Sequence, residues 1–308
     1  MIRRTLRLAQ WKAESLLRPR RNGEMDFDGP TPPAGDRELV HALTATPKDE
    51  AFITGNGIAA RCRFVLNYDV FRVNKRGRDG WWFCKADYLE YFFARYAPSE
   101  PFVLFSHNSD RAIDESFQAE LDDDRLVAWF AQNPVFEHPK LRALPIGLSN
   151  PYWPHGDQKA LKAVQAARLP KTELFDVSFN PETNRAERLR CLTETGLQAA
   201  SRVPYRDYLR RLASAYFCIS PNGNGIDCVR TWEALYLRAI PVVTRSLLTE
   251  QHADLPLLVL DDWSEFRSID FGPELYRRLW RDWDPDEIRL DRYFARIEGA
   301  IAGLRGAV

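Results

Sequence analysis

The chain has 308 residues, and its 43 lysines and arginines balance its 43 aspartates and glutamates, so the formal net charge is zero. This balance gives no electrostatic signal for a nucleic-acid partner, and the length suits two domains of about 150 residues each. The five cysteines are scattered and odd in number. They indicate neither a disulfide framework nor a paired metal motif, and they favour a reducing compartment.

Residues 1–21 form a basic segment in which seven lysines and arginines stand against one acid. Apolar side chains are interleaved with them, and no apolar run is long enough for a signal peptide or a membrane span. The pattern predicts a helix that either lies on an anionic membrane surface or packs as a solvated terminal helix. Residues 22–37 are rich in Gly, Pro and Asp and predict a linker. We therefore expect a cytoplasmic protein, peripheral at the membrane if residues 1–21 bind lipid.

Residues 38–170 are predicted to form a first α/β domain. A helix is predicted over residues 85–96, between the first two strands of this domain. The strands are predicted from apolar runs at residues 63–68, 102–106, 126–130 and 141–145.

The second of these strands ends in a polar cluster that contains His107 and Asp110. In open α/β sheets, ligands bind at the carboxyl ends of the strands. Either residue is therefore a candidate general base, or the cluster caps the next helix with Asp110 at its start. Polar and aromatic residues further along either face the same cleft or are ordinary loop residues: Asn133, His138, Asn150, Trp153 and His155.

Residues 171–272 are predicted to form a second α/β domain, followed by a helical segment over residues 273–308. A strand over residues 174–179 leads into a turn rich in amides and guanidinium groups. Arginines at a helix N-terminus are unfavourable for the helix dipole, so either a bound anion or pairing with nearby glutamates is expected there. The side chains in question are Asn180, Asn184, Arg185 and Arg188.

The next segment, AYFCISPNGNGIDCVRTWEALYLRAIPVV, predicts a strand, a glycine loop, a helix and another strand. Gly223 and Gly225 permit close approach of the loop backbone to a ligand. Asp227 is predicted to be the N-cap of a helix of about ten residues, on which Arg230 and Glu233 share one face. An arginine at a helix start suits phosphate and a glutamate suits a ribose diol. The alternative is a plain turn followed by an Arg230–Glu233 ion pair on the surface.

This segment resembles the nucleotide-sugar-binding segment of exostosin-like glycosyltransferases, in which a Ser-Pro-x-Gly-x-Gly loop precedes a helix carrying Arg-x-x-Glu-Ala-Leu. The resemblance implies a GT-B fold, with two Rossmann-like domains facing across a cleft and a C-terminal helix crossing back to the N-terminal domain. It implies an inverting enzyme that moves a sugar from a nucleoside diphosphate, with UDP favoured over GDP, to a hydroxyl of a glycan or lipid-linked acceptor. The N-terminal half departs from the animal exostosins, so the acceptor is not carried over.

The resemblance also implies roles for individual residues. The arginines and loop amides would neutralise the departing diphosphate, Glu233 would hold the ribose, and His107 or Asp110 would deprotonate the acceptor hydroxyl. The implied donor-binding residues are Asn180, Asn184, Arg185, Arg188, Ser220, Asn222, Gly223, Asn224, Gly225, Arg230 and Glu233.

Residues 122–124 resemble the Asp-x-Asp metal motif of the other large glycosyltransferase fold, but they precede an apolar strand instead of following one. We interpret them as a solvated turn and predict neither an obligatory metal nor another cofactor. The alternative function is a non-catalytic nucleotide- or glycan-binding subunit of a polysaccharide assembly system. Phosphoryl transfer is disfavoured because the chain has no P-loop lysine motif.

Overall fold

The computed structural model describes residues 50–67 and 70–305, so the predictions for residues 1–21 and 22–37 lie outside the described residues. The described residues form an α/β protein with a six-stranded mixed sheet and a four-stranded parallel sheet. The strands are β1 (Cys62–Asn67), β2 (Val70–Val73), β3 (Arg78–Lys85), β4 (Phe102–His107), β5 (Leu126–Ala131), β6 (Leu141–Ala143), β7 (Glu173–Asp176), β8 (Ala215–Ile219), β9 (Ile240–Thr244) and β10 (Leu258–Leu260).

Helices connect most of the parallel strands, as expected where each strand needs a crossover to its neighbour. The helices are α1 (Gly55–Arg61), α2 (Leu89–Arg95), α3 (Gln118–Asp122), α4 (Gln158–Ala167), α5 (Arg185–Thr195), α6 (Tyr205–Ser214), α7 (Val229–Tyr236), α8 (Leu247–Gln251), α9 (Pro273–Trp280) and α10 (Leu290–Arg305).

The first sheet has the strand order β2-β1-β3-β4-β5-β6, in which only β2 is antiparallel to its neighbour. All four predicted strands of this sheet are present, but β2 and β3 were not predicted. A turn-like stretch between them, NKRGRDG, concealed the start of β3. The helix predicted over residues 85–96 is shorter, because a single 3-10 turn over Ala86–Tyr88 precedes α2.

Helix α10 covers one face of this sheet. Its Phe294 ring lies 5.6 Å from Trp81 and 5.8 Å from Phe105, measured between ring centroids. Every residue of β4 is buried, as is usual for a parallel strand covered on both faces. The last helix of the chain therefore packs on strands that come early in the sequence.

The second sheet has the order β10-β9-β8-β7 and is parallel throughout. Helix α6 leads directly into β8, and the β8–α7–β9 unit forms as predicted. The predicted N-cap was wrong: α7 begins at Val229, and Cys228 is its N-cap. Asp227 lies one residue before this N-cap, and its carboxylate accepts from the backbone of Ile146, the backbone of Cys228 and the indole of Trp232.

Partly buried polar contacts connect the two sheets. The backbone N–H of Ile146, just after β6, donates to Asp227 at 2.8 Å, and the N–H of Ala143 donates to the Gln251 side chain at 2.7 Å. All five cysteines are buried free thiols. Among the helices of residues 50–67 and 70–305, not one combines the length and the apolar character that a membrane span requires.

Candidate functional site

The glycine loop follows β8 and lies against residues from both halves of the chain. A Cβ added at Gly225 would come within 2.3 Å of the Asn133 side chain, which follows β5. A Cβ at Gly223 would lie 3.4 Å from an Arg188 nitrogen. Gly225 is therefore required for close approach to Asn133, and the loop is pressed between the carboxyl ends of the two sheets.

Arg188 and Arg230 form the most highly charged part of the site. Both are buried, at 6% and 8% exposure, and their guanidinium carbons lie 5.6 and 5.2 Å from the centroid of the Phe179 ring. Their partners are backbone carbonyls: Arg188 donates to Asn222 at 3.0 Å, and Arg230 donates to Pro221 at 3.1 Å.

Neither arginine makes an ion pair with a carboxylate of the described residues. Burial, and then the charge of Arg230, lower the pKa of Arg188. The Nε of Arg230 is buried without a hydrogen-bond partner in the described structure. Two positive charges thus lie side by side under the loop, and no described carboxylate is within ion-pair distance of either, although the charge of Arg230 still reaches the nearby Glu233, where it opposes the rise in pKa that burial causes. Such a pair of guanidinium groups is suited to bind an anion.

The other residues of the predicted arginine turn play different parts. Asn184 adopts a left-handed conformation, with φ 49°, and donates from its side chain to the Gly223 carbonyl at 2.8 Å. The carbonyl of Asn180 accepts from Arg188 at 2.7 Å. Arg185 is exposed and pairs with Glu182 at 3.4 Å. Asn180 and Asn184 thus support the loop and Arg188, whereas Arg185 lies on the surface.

Glu233 is buried, at 4% exposure, on the same side of α7 as Arg230. Its two carboxylate oxygens accept hydrogen bonds from the hydroxyls of Tyr205, at 2.8 Å, and Tyr208, at 2.7 Å. Burial raises the pKa of Glu233, and the two tyrosine hydroxyls oppose that effect. The surface Arg230–Glu233 ion pair considered from the sequence is absent from the described structure, and each oxygen of Glu233 already has a partner.

His107 is buried, at 3% exposure, at the end of β4. Its Nδ1 accepts the backbone N–H of Asn108 at 2.7 Å, so the proton lies on Nε2, which donates to the Pro145 carbonyl at 3.0 Å. Burial lowers the pKa of His107 to about 4. Both ring nitrogens are occupied within the protein, so this arrangement offers no free lone pair to a substrate hydroxyl.

Asp110, the other candidate base, is exposed at the mouth of the site. One of its carboxylate oxygens accepts from the side-chain amide of Asn224 at 2.9 Å. Asn224 belongs to the glycine loop, 114 residues later in the sequence. The structure therefore brings the predicted base cluster and the predicted donor loop into direct contact.

A network of asparagines behind this contact was not anticipated. Asn108 has φ 60°, and its side chain bonds those of Asn67 and Asn150 at 3.3 and 2.9 Å. Asn133 also has φ 60°, and its side-chain oxygen is buried without a partner in the described part of the chain. Asparagine tolerates left-handed backbone better than most residues, which is the only signal in the sequence for these turns.

A small cavity lies beside the glycine loop. Its volume of about 20 Å³ is enough for roughly one water molecule. Thr231 and Trp232 line it from α7, and by helical geometry these two face away from Arg230 and Glu233. Ser220, Asn222 and Thr244 contribute polar groups at the strand ends.

Within residues 50–67 and 70–305, no cluster of three or more His, Cys, Asp and Glu side chains is placed to hold a metal ion. Asp122 ends α3 and pairs with His138 at 3.2 Å, and Asp123 follows as the helix C-cap. In comparisons with known proteins, no family model matches the chain and no curated protein matches it.

Proposed function

We propose that the chain is an inverting glycosyltransferase of GT-B architecture that uses a nucleoside-diphosphate sugar, with UDP favoured over GDP. The observation that carries the proposal is the pair of buried guanidinium groups, Arg188 and Arg230, which have no carboxylate counter-ion among the described residues. Burying an unpaired charge costs free energy. An anion that binds between two buried guanidinium groups offsets that cost for both of them. A diphosphate supplies that anion and bonds guanidinium groups bidentately.

In the proposed reaction, an acceptor hydroxyl attacks the anomeric carbon while the nucleoside diphosphate departs. Asp110 takes the hydroxyl proton, because it is exposed at the mouth of the site while His107 is buried with both nitrogens occupied. Arg188, Arg230 and the loop amides neutralise the charge that develops on the diphosphate. His107 positions the turn that carries Asp110.

The donor site is tested by calorimetric titration with UDP, GDP and CMP in the presence of EDTA. Arg188→Lys keeps the charge but loses the planar fork, so we expect roughly tenfold to hundredfold weaker UDP binding. Arg185→Lys is the matched control, since Arg185 is exposed, and it should bind like the wild type. Equal affinities in all three proteins would refute the arginine site, and absence of nucleotide binding by the wild type would refute the donor assignment.

The ribose role of Glu233 needs a separate test, because Tyr205 and Tyr208 occupy its oxygens. We propose that Glu233 uses the remaining lone pairs of its carboxylate and that the tyrosines hold it in place. Comparing UDP with 2′-deoxy-UDP in the wild type and in Glu233→Gln separates these parts. If Glu233 contacts the ribose, removing the 2′-hydroxyl should weaken binding less in Glu233→Gln than in the wild type. If the two proteins lose the same affinity, Glu233 has a structural role alone.

The second candidate function is a non-catalytic nucleotide- or glycan-binding subunit. The occupied ring of His107 favours it, since one of the two predicted bases is not free. Asp110→Asn distinguishes the two functions when UDP affinity is measured alongside transfer of labelled sugar from UDP-sugars to a glycan panel. Transfer by the wild type that is lost in Asp110→Asn with UDP affinity intact supports an enzyme. Binding without transfer by the wild type supports the subunit.

A further inference from the structure

The edge of the first sheet carries an exposed apolar surface that the proposed reaction does not use. Phe71 and Val73 lie on the edge strand β2, where they are 39% and 51% exposed. They are two residues apart and so point to the same side of the strand. The Phe71 ring stacks on Tyr96, with 4.9 Å between ring centroids, so the surface extends beyond the strand. An uncovered edge strand with apolar side chains is normally avoided in soluble proteins.

Basic side chains surround this apolar surface. Lys75 and Arg76 lie in the turn after β2, and Arg95 immediately precedes Tyr96; all three are exposed. None of the three makes an ion pair with another described residue. Two other arginines near the turn are already paired, Arg63 with Asp79 and Arg78 with Glu298. We call Phe71, Val73, Lys75, Arg76, Arg95 and Tyr96 the β2 edge surface.

We propose that the β2 edge surface binds the surface of an anionic lipid membrane. Aromatic and apolar side chains enter the headgroup region while the neighbouring cations contact anionic lipid, and the two contributions to binding add. A stable protein interface buries about 1,200–2,000 Å² in total, far more than two half-exposed side chains supply. The free cations also favour an anionic occupant over a second copy of this equally basic edge.

The proposal is tested by co-sedimentation of the full chain with vesicles. One set contains phosphatidylcholine alone, and in the other roughly one third of the lipid is phosphatidylglycerol. We expect binding to the anionic vesicles only, weakening as salt is raised. Each cation near the surface is worth about fivefold in partitioning, so Lys75→Glu with Arg76→Glu should reduce binding by about 25-fold or more.

A matched control makes the same charge change elsewhere. Arg206 and Arg210, on α6, are also exposed and make no ion pair with described residues, so Arg206→Glu with Arg210→Glu should bind like the wild type. Val73→Ser tests the apolar part and should weaken binding about threefold to fivefold. Circular dichroism melting confirms that each variant is folded.

Three results would overturn the proposal. The first is a wild type that does not bind anionic vesicles. The second is undiminished binding by Lys75→Glu with Arg76→Glu, which would assign membrane contact to another part of the chain such as residues 1–21. The third is equal weakening in the edge variant and the α6 control, which would show a response to net charge alone. None of these outcomes depends on nucleotide binding, so the proposed function is tested independently.

Discussion

Asp227 should make the stability of the protein depend on pH. Its carboxylate accepts three hydrogen bonds, from the backbone of Ile146 at 2.8 Å, the backbone of Cys228 at 2.7 Å and the Trp232 indole at 2.7 Å. Burial raises the pKa of Asp227 from 3.8 to about 6, although these donors oppose the rise. A raised pKa means that the folded state holds the proton more tightly than the unfolded state between these two values.

The sign and size of the effect follow from that difference. Because the folded state binds more protons between pH 4 and pH 6, stability falls as the pH rises through this window. A shift of about two pKa units corresponds to about 3 kcal/mol, at 1.36 kcal/mol per unit. The stabilisation is complete below pH 4 and is lost above pH 7.

The measurement is urea unfolding of the wild type and Asp227→Asn from pH 4 to pH 7.5. Asparagine cannot titrate, so the difference in unfolding free energy between the two proteins should change by about 3 kcal/mol across this range. Taking the difference cancels the titration of other groups, including Glu50, whose pKa burial raises to about 7. Parallel curves for the two proteins would refute the assignment of the raised pKa to Asp227.

Two further substitutions probe the glycine loop and a buried lysine. Gly225→Ala should cost about 1–3 kcal/mol, because its Cβ would come within 2.3 Å of Asn133. Asn133→Ala has a cost of its own, because its backbone is left-handed with φ 60°, so in urea unfolding the double variant should lose less than the sum of the two single losses. An additive double variant would contradict this contact. Burial lowers the pKa of Lys171 to about 7, so the folded state binds fewer protons and stability should rise from pH 7 to pH 10. In Lys171→Met this part of the rise should be missing; an unchanged pH profile would contradict the lowered pKa.

Much of the second sheet could be predicted because its signals are local. Strand β8 follows from an apolar run, and α6 follows from apolar periodicity over ten residues. The β8–α7–β9 unit follows from a strand, a glycine loop and a helix in immediate succession. Such patterns depend on residues only a few positions apart, so sequence alone contains them.

The partners of the buried polar groups could not be predicted in the same way. Asp227 resembles an N-cap by position, but its carboxylate accepts from the backbone of Ile146, 81 residues earlier. His107 is the residue type expected of a base, yet it is buried and its ring bonds to Asn108 and to Pro145, 38 residues later. In both cases the sequence shows which chemistry the side chain can perform. Its burial depends on packing between distant segments, which the sequence pattern does not show.

Packing between distant segments also decides the partners of the arginines in the candidate site. From spacing alone, Arg230 and Glu233 could pair with each other, one turn apart on α7. In the structure the carboxylate of Glu233 accepts hydrogen bonds from Tyr205 and Tyr208 instead, so Arg230 lies beside Arg188 with no ion pair to a described carboxylate. Because Glu233 bonds to the tyrosines and not to Arg230, the positive charge of Arg230 stays at the glycine loop. Folding has already supplied the free energy that holds the two guanidinium groups together, so a bound anion would not have to supply it.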